Sequence, residues 1–119
     1  MIDSHCHLNL PALADDVETV LRDAVNAGVT RVMAPGIDVP SWRVIQQISD
    51  RYGALLPIDT AIGLHPYFLK QNNVSSTDAP VDFSAKVSLL EQATHQLHSS
   101  VKAIGETGLD AHILSLIHI

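Results

Sequence analysis

Residues 29 to 63 read VTRVMAPGIDVPSWRVIQQISDRYGALLPIDTAIG, and the pattern is strand, helix, strand. Val and Thr at β-favourable spacing make residues 29 to 35 (VTRVMAP) a strand, and Pro35-Gly36 punctuates its end. Asp38 is a natural helix cap, Pro40 suits a first helical turn, and Val44, Ile45, Ile48 and Tyr52 share a face. Gly53 stands where a helix-terminating glycine belongs. Residues 55 to 63 (LLPIDTAIG) then form a further apolar strand, shortened by Pro57. This stretch commits the chain to a βα architecture.

The alternation continues in both directions, without internal repeats or low-complexity linkers. On the N-terminal side, residues 1 to 6 (MIDSHC) form a strand followed by a helix with Leu13, Val17, Val20, Leu21, Ala24 and Val25 on one face. Asp15 and Asp16 are expected in the first turn of that helix, favoured by the positive end of its dipole, and Gly28 closes it. On the C-terminal side, residues 71 to 80 (QNNVSSTDAP) read as a mobile surface loop. A third helix buries Phe83, Val87, Leu90, Ala93 and Leu97, and residues 101 to 106 (VKAIGE) give a fourth strand.

At 119 residues and 46% hydrophobic side chains, the chain can bury one modest core. Parallel eight-stranded barrels take about 250 residues. The expected fold class is therefore α/β: the N-terminal half of a TIM-type (β/α)8 barrel, with about four parallel strands and three helices.

A charged fraction of 17% and a formal net charge of -6 leave no basic stripe, which argues against nucleic-acid binding through charge alone. A phosphate substrate at a metal remains compatible, because an ion supplies positive charge that Lys and Arg do not. The single cysteine, Cys6, excludes an intrachain disulfide framework and fits a reducing compartment. MIDSHCHLNL has neither a basic segment nor a long apolar one, and no stretch approaches the roughly 20 apolar residues of a membrane span. The expectation is a cytoplasmic protein with no membrane association and no obligate protein partner.

In a strand, side chains two apart share a side, so His5 and His7 present two imidazoles about 6 to 7 Å apart along the chain. That is a pincer for a cation such as Zn²⁺. A bare H-x-H is more often an accident of alternation. This one lies at the C-terminal end of the first strand, where parallel barrels build their active sites. Cys6 between them points the other way and reads as a small buried hydrophobe.

His65, in GLHPYFL at residues 63 to 69, is held extended by Pro66. It reads equally as a substrate or supporting contact and as a histidine packed under the loop. Glu106, in AIGETGLD at residues 103 to 110, ends an apolar strand between Gly105 and Gly108, where a carboxylate needs a partner or a cation. His95 and His98 have the spacing of a helical metal pair, but their helix belongs on the outside of a barrel, and a solvated face is the better reading.

DSHCHL at residues 3 to 8, GLHPY at 63 to 67 and GETGLD at 105 to 110 together resemble the TatD family of metal-dependent deoxyribonucleases, within the wider amidohydrolase-like barrels. The resemblance covers residues 1 to about 110. It implies that His5, His7 and Glu106 bind divalent metal, two ions per complete site, of Zn, Mg or Mn identity, with Glu106 a bridging carboxylate. It further implies that His65 approaches the substrate, and that the substrate is DNA or another phosphodiester. The remaining ligands, two histidines and the water-activating aspartate, belong on later strands beyond this chain.

The aromatic residue expected after GLD is absent, and the chain runs AHILSLIHI instead. Residues 1 to 110 are thus expected to be a partial domain of this kind. Residues 111 to 119 are expected to be an artefactual tail, in which His112 and His118 are not ligands. On this reading the nuclease is truncated and inactive in this form. Two alternatives stay open: another amidohydrolase-like or phosphoesterase barrel, and a non-enzymatic fragment with exposed strand edges.

Overall fold

A computed structural model describes residues 1–69 and 83–108 of the chain. The loop expected over residues 71 to 80, Asp110 and the tail with His112 and His118 lie outside the described residues. Four strands form one sheet in the order β1-β2-β3-β4: β1 (Ile2–Asp3), β2 (Arg31–Pro35), β3 (Ile58–Ile62) and β4 (Val101–Ile104). Every neighbouring pair is parallel. The helices are α1 (Pro11–Ala14), α2 (Val17–Asn26), α3 (Val39–Tyr52) and α4 (Phe83–His95), with a 3₁₀ turn over Pro66–Leu69.

Among the described residues there are four helices where the sequence suggested three, because the stretch after β1 splits at its two aspartates. Pro11 opens α1 without a side-chain cap. Asp16 then leaves helical geometry at φ -146° and ψ 63°, and its carboxylate accepts the Thr19 N–H at 3.2 Å, which starts α2 afresh. Asp15 and Asp16 therefore mark a seam, not a first turn. Gly28 closes α2 at φ +88°, a left-handed conformation that favours glycine.

The first strand is also shorter than its sequence suggested. Its register ends at Asp3↔Val32. Asp3 Oδ1 then accepts the His5 N–H at 3.1 Å, which turns the chain out of the ladder. One contact resumes where the Cys6 N–H donates to the Met33 carbonyl. His5 and His7 thus sit beyond the strand, on a bent segment.

The reading of α3 holds at its ends. Ser41 N–H donates to Asp38 Oδ1 at 2.9 Å and Asp38 N–H to Ser41 Oγ at 3.0 Å, a reciprocal capping box. Its buried stripe is rotated from the expected one: Trp42 and Ile45 are buried while Val44 is exposed, because the indole takes the inward face. Val25 on α2 is exposed likewise. On α4, Leu90 and Ala93 pack inward whereas Val87 is exposed, and Leu97, also exposed, lies past the end of the helix. Among the described residues no strand beyond β4 lies under the far side of that helix.

Two apolar groups hold the sheet to its helices. One joins Leu8, Leu21, Val32, Ile45 and Ile58; the other joins Trp42, Ile62, Leu64 and Val101. The second group joins the C-terminal end of β3 to the start of β4, beneath the residues described next.

Candidate metal centre

Parallel strands deliver their C-terminal ends to one edge of the sheet. His5 follows β1, Gly36 follows β2, His65 follows β3 and Glu106 follows β4. This is the edge where α/β barrels place their chemistry. Backbone hydrogen bonds tie these ends together: Glu106 N–H donates to the Gly36 carbonyl at 3.0 Å, Gly105 N–H to Ile62 at 2.8 Å, and His65 N–H to Ile37 at 2.8 Å.

The β3–β4 register shifts, since Thr60 pairs with Val101 but Ala61 pairs with Ala103. Lys102 is an extra residue, a bulge. With alternating side chains, one residue of slip changes which way every later side chain faces, so this bulge sets the direction of Glu106.

Three donor atoms converge. His5 Nε2 lies 3.1 Å from His7 Nε2, and both lie close to Glu106 Oε2, at 3.4 Å and 3.3 Å. The two rings meet edge to face, with centroids 4.8 Å apart and planes at 82°. Ligands bound tetrahedrally to an ion at 2.0–2.1 Å stand about 3.3–3.4 Å from one another, and octahedral neighbours about 3 Å apart. The three spacings fall in that range.

The donor chemistry agrees. Glu106 Oε2 and His7 Nδ1 are buried and make no hydrogen bond. Two imidazole nitrogens and a carboxylate oxygen facing one point are the neutral and anionic donors that a borderline divalent ion takes. His5 is the exposed member, at 54%, so the point is reachable from solvent. These are the three side chains the sequence suggested as ligands, brought together by bending and not by strand pleating.

His65 joins through the other carboxylate oxygen. Its Nε2 lies 3.3 Å from Glu106 Oε1, and its Nδ1 accepts the Tyr67 N–H at 3.1 Å. Because Nδ1 is an acceptor, the neutral ring carries its proton on Nε2, facing the carboxylate. His65 is therefore placed to orient Glu106. The ring also meets Phe68 edge on, with centroids 5.5 Å apart.

The other sequence candidates lie elsewhere. Cys6 is half-buried against the first apolar group, and burial foremost, then the Asp3 charge, pushes its thiol pKa up. It takes no part in the donor cluster. His95 ends α4, but His98 lies past the helix, correcting the expected helical pair. His98 Nδ1 accepts the Ser100 N–H at 3.2 Å, Nε2 lies 3.2 Å from Asp50, and Ser100 Oγ meets the buried Thr60 hydroxyl at 2.9 Å. That chain joins the N-terminal end of β4 to α3, at the opposite edge of the sheet.

Sequence reasoning missed Gly63 and Trp42. A Cβ on Gly63 would lie 2.3 Å from the Gly105 carbonyl carbon and 2.6 Å from Glu106 N and O. The residue must be glycine for the Glu106 segment to rest on it. The buried Trp42 donates its Nε1–H to the Gly63 carbonyl at 2.8 Å, and its ring occupies the place a Gly36 Cβ would need. The one available signal was a glycine two residues before His65.

A four-stranded parallel α/β sheet with two histidines and a carboxylate converging at its C-terminal edge defines the class: part of an α/β barrel with a candidate metal centre. Comparison with known proteins narrows the class. The sequence model of the family described as TatD related DNase matches residues 2–115. The chain is 30% identical over 109 residues to the "uncharacterized metal-dependent hydrolase YjjV" of Escherichia coli (strain K12), covering 92% of this chain and 37% of the relative. It is 31% identical over 111 residues to "deoxyribonuclease TATDN3" of Homo sapiens, covering 92% and 38%. A crystal structure of YjjV from Escherichia coli superposes with a TM-score of 0.74 at 29% identity, over 93% of this chain and 38% of that one.

The chain therefore belongs to the TatD-related DNase family. It matches the N-terminal part of a TIM-type barrel and spans little more than a third of the length of these relatives.

Proposed function

We propose that this chain carries the first-strand and fourth-strand half of a divalent-metal site that hydrolyses phosphodiester bonds in DNA. The observation that supports it best is the convergence of His5 Nε2, His7 Nε2 and Glu106 Oε2 at 3.1–3.4 Å, with the carboxylate oxygen buried and without a hydrogen bond. His5 and His7 would hold one ion, with Glu106 giving Oε2 to it. A bound divalent ion supplies Lewis acidity, drawing charge from a phosphoryl oxygen and making a water molecule more acidic.

The chain's own residues do the rest of this half. His65 fixes Glu106 through Oε1, with its Nε2 proton also close enough to meet a phosphate oxygen that enters beside the carboxylate. The Tyr67 N–H keeps that proton on Nε2. Gly63 and Trp42 hold the Glu106 segment at its height. The formal charge of -6 means that DNA would be drawn by the local charge of the site and not by the surface as a whole.

The remaining ligands and the water-activating aspartate are assigned to the portion of the relatives that this chain does not span. Among the described residues no helix is long and apolar enough to cross a membrane. The test is release of nucleotides from a labelled DNA oligomer with Mg²⁺, Mn²⁺ or Zn²⁺ added, by this chain and by a chain extended to the relatives' length. Metal-dependent release that His5→Ala and Glu106→Ala both abolish supports the proposal. An extended chain that binds metal and leaves DNA intact overturns it.

A further inference from the structure

The chain holds one Trp, two Tyr and two Phe, and two of these five rings stand together beside the metal centre. Tyr67 and Phe68 follow His65 in the 3₁₀ turn, with ring centroids 5.1 Å apart and planes at 81°. Phe68 is partly buried and touches the His65 ring on one side and Tyr67 on the other. Tyr67 is 55% exposed, whereas Trp42 is buried and Tyr52 is partly buried. Its backbone is pinned as well, because its N–H donates to His65 Nδ1.

Tyr67 thus presents an open ring, on a pinned backbone and edge-on to Phe68, one aromatic neighbour away from a histidine that faces Glu106. A rigid aromatic surface binds with little loss of conformational freedom. An acidic chain gains little affinity for a polyanion from its surface charge, so a neutral contact to the bases has more to contribute.

We infer that Tyr67, backed by Phe68, is the stacking platform for the nucleobase next to the phosphate held at the metal centre. The inference rests on the phosphodiesterase reading for the phosphate, while the stacking itself is a binding property that can be measured without turnover. Tyr67 would then set a preference for substrates that carry a base at that position over substrates that lack one. Its hydroxyl is not needed, so phenylalanine should serve as well.

The experiment compares wild type, Tyr67→Ala and Tyr67→Phe. Binding of a fluorescein-labelled thymidine oligomer, and of the same oligomer with abasic tetrahydrofuran nucleotides, is followed by fluorescence anisotropy with chelator present. Tyr67→Ala should weaken binding of the base-bearing oligomer by about 5- to 150-fold, the range of one base–aromatic stack. The abasic oligomer should change less than about twofold, and Tyr67→Phe should match wild type. Equal losses on both oligomers, or no loss on either, would overturn the inference. A parallel hydrolysis assay with Mn²⁺ on the chain extended to the relatives' length separates the two readings: absence of turnover there counts against the phosphodiesterase proposal, while the anisotropy result still decides the platform.

Discussion

Replacing Gly63 by alanine should disturb the proposed metal centre without touching any donor atom. The added Cβ would stand 2.3 Å from the Gly105 carbonyl carbon and 2.6 Å from Glu106 N and O, so chain and strand must separate by about 1 Å to restore ordinary contact. The Glu106 segment is also tied to the Gly36 and Ile62 carbonyls, which limits where it can go. Metal bonds tolerate only about 0.2 Å of misplacement, so a shift of this size should loosen divalent-ion binding by about 10- to 100-fold. The overpacking itself should lower stability by about 1–3 kcal/mol.

The assay is Zn²⁺ titration against a chromophoric chelator, with a thermal melt in excess chelator. Gly108→Ala is the control, because a Cβ there meets nothing within 4 Å. Unchanged affinity in Gly63→Ala would refute the claim that Gly63 sets the position of Glu106. Lower stability with full affinity would refute it equally, since the strain would then have been relieved elsewhere.

Other perturbations follow from the same contacts. Trp42→Phe keeps the ring but strands the buried Gly63 carbonyl, and should cost about 1–3 kcal/mol in a denaturant melt together with some loss of metal affinity. Asp38→Ala removes the capping box of α3 and should cost about 1 kcal/mol, read from the same melt, with metal affinity retained. Hydrogen bonds from Thr19, side chain first and backbone second, hold the Asp16 carboxyl below its ordinary value of 3.8. A depressed carboxyl stabilises the fold above its unfolded pKa and loses that contribution as pH falls through the folded one. The melting difference between wild type and Asp16→Ala should therefore narrow as the pH falls below 3.8, and a difference that widens would reverse the assignment.

The βα order was legible because it depends on short-range signals: Asp38 with Pro40 at one helix start, Gly28 at a helix end, Pro57 ahead of β3. The donor residues were legible from their place after apolar strands. What escaped was set by tertiary contact. Asp16 can cap a helix or sit in its first turn, and only its bond to Thr19 decides between them. Strand periodicity put His5 and His7 on one face, but the Asp3 carboxylate bends the segment, and the bend is what brings their Nε2 atoms to 3.1 Å. Lys102 as a bulge leaves no mark in composition, because it is a matter of register with β3. Gly63 reads as an ordinary strand-end glycine until the Glu106 segment is seen lying on it.

The most direct test of the account is calorimetric titration of the chain with Zn²⁺, comparing wild type with His7→Ala, Glu106→Gln and the distant His95→Ala. Wild type and His95→Ala should each show one saturable site, lost in His7→Ala and Glu106→Gln while their melts in chelator stay cooperative. Equal binding by all four proteins, or none by the folded wild type, would contradict a metal centre built from His5, His7 and Glu106.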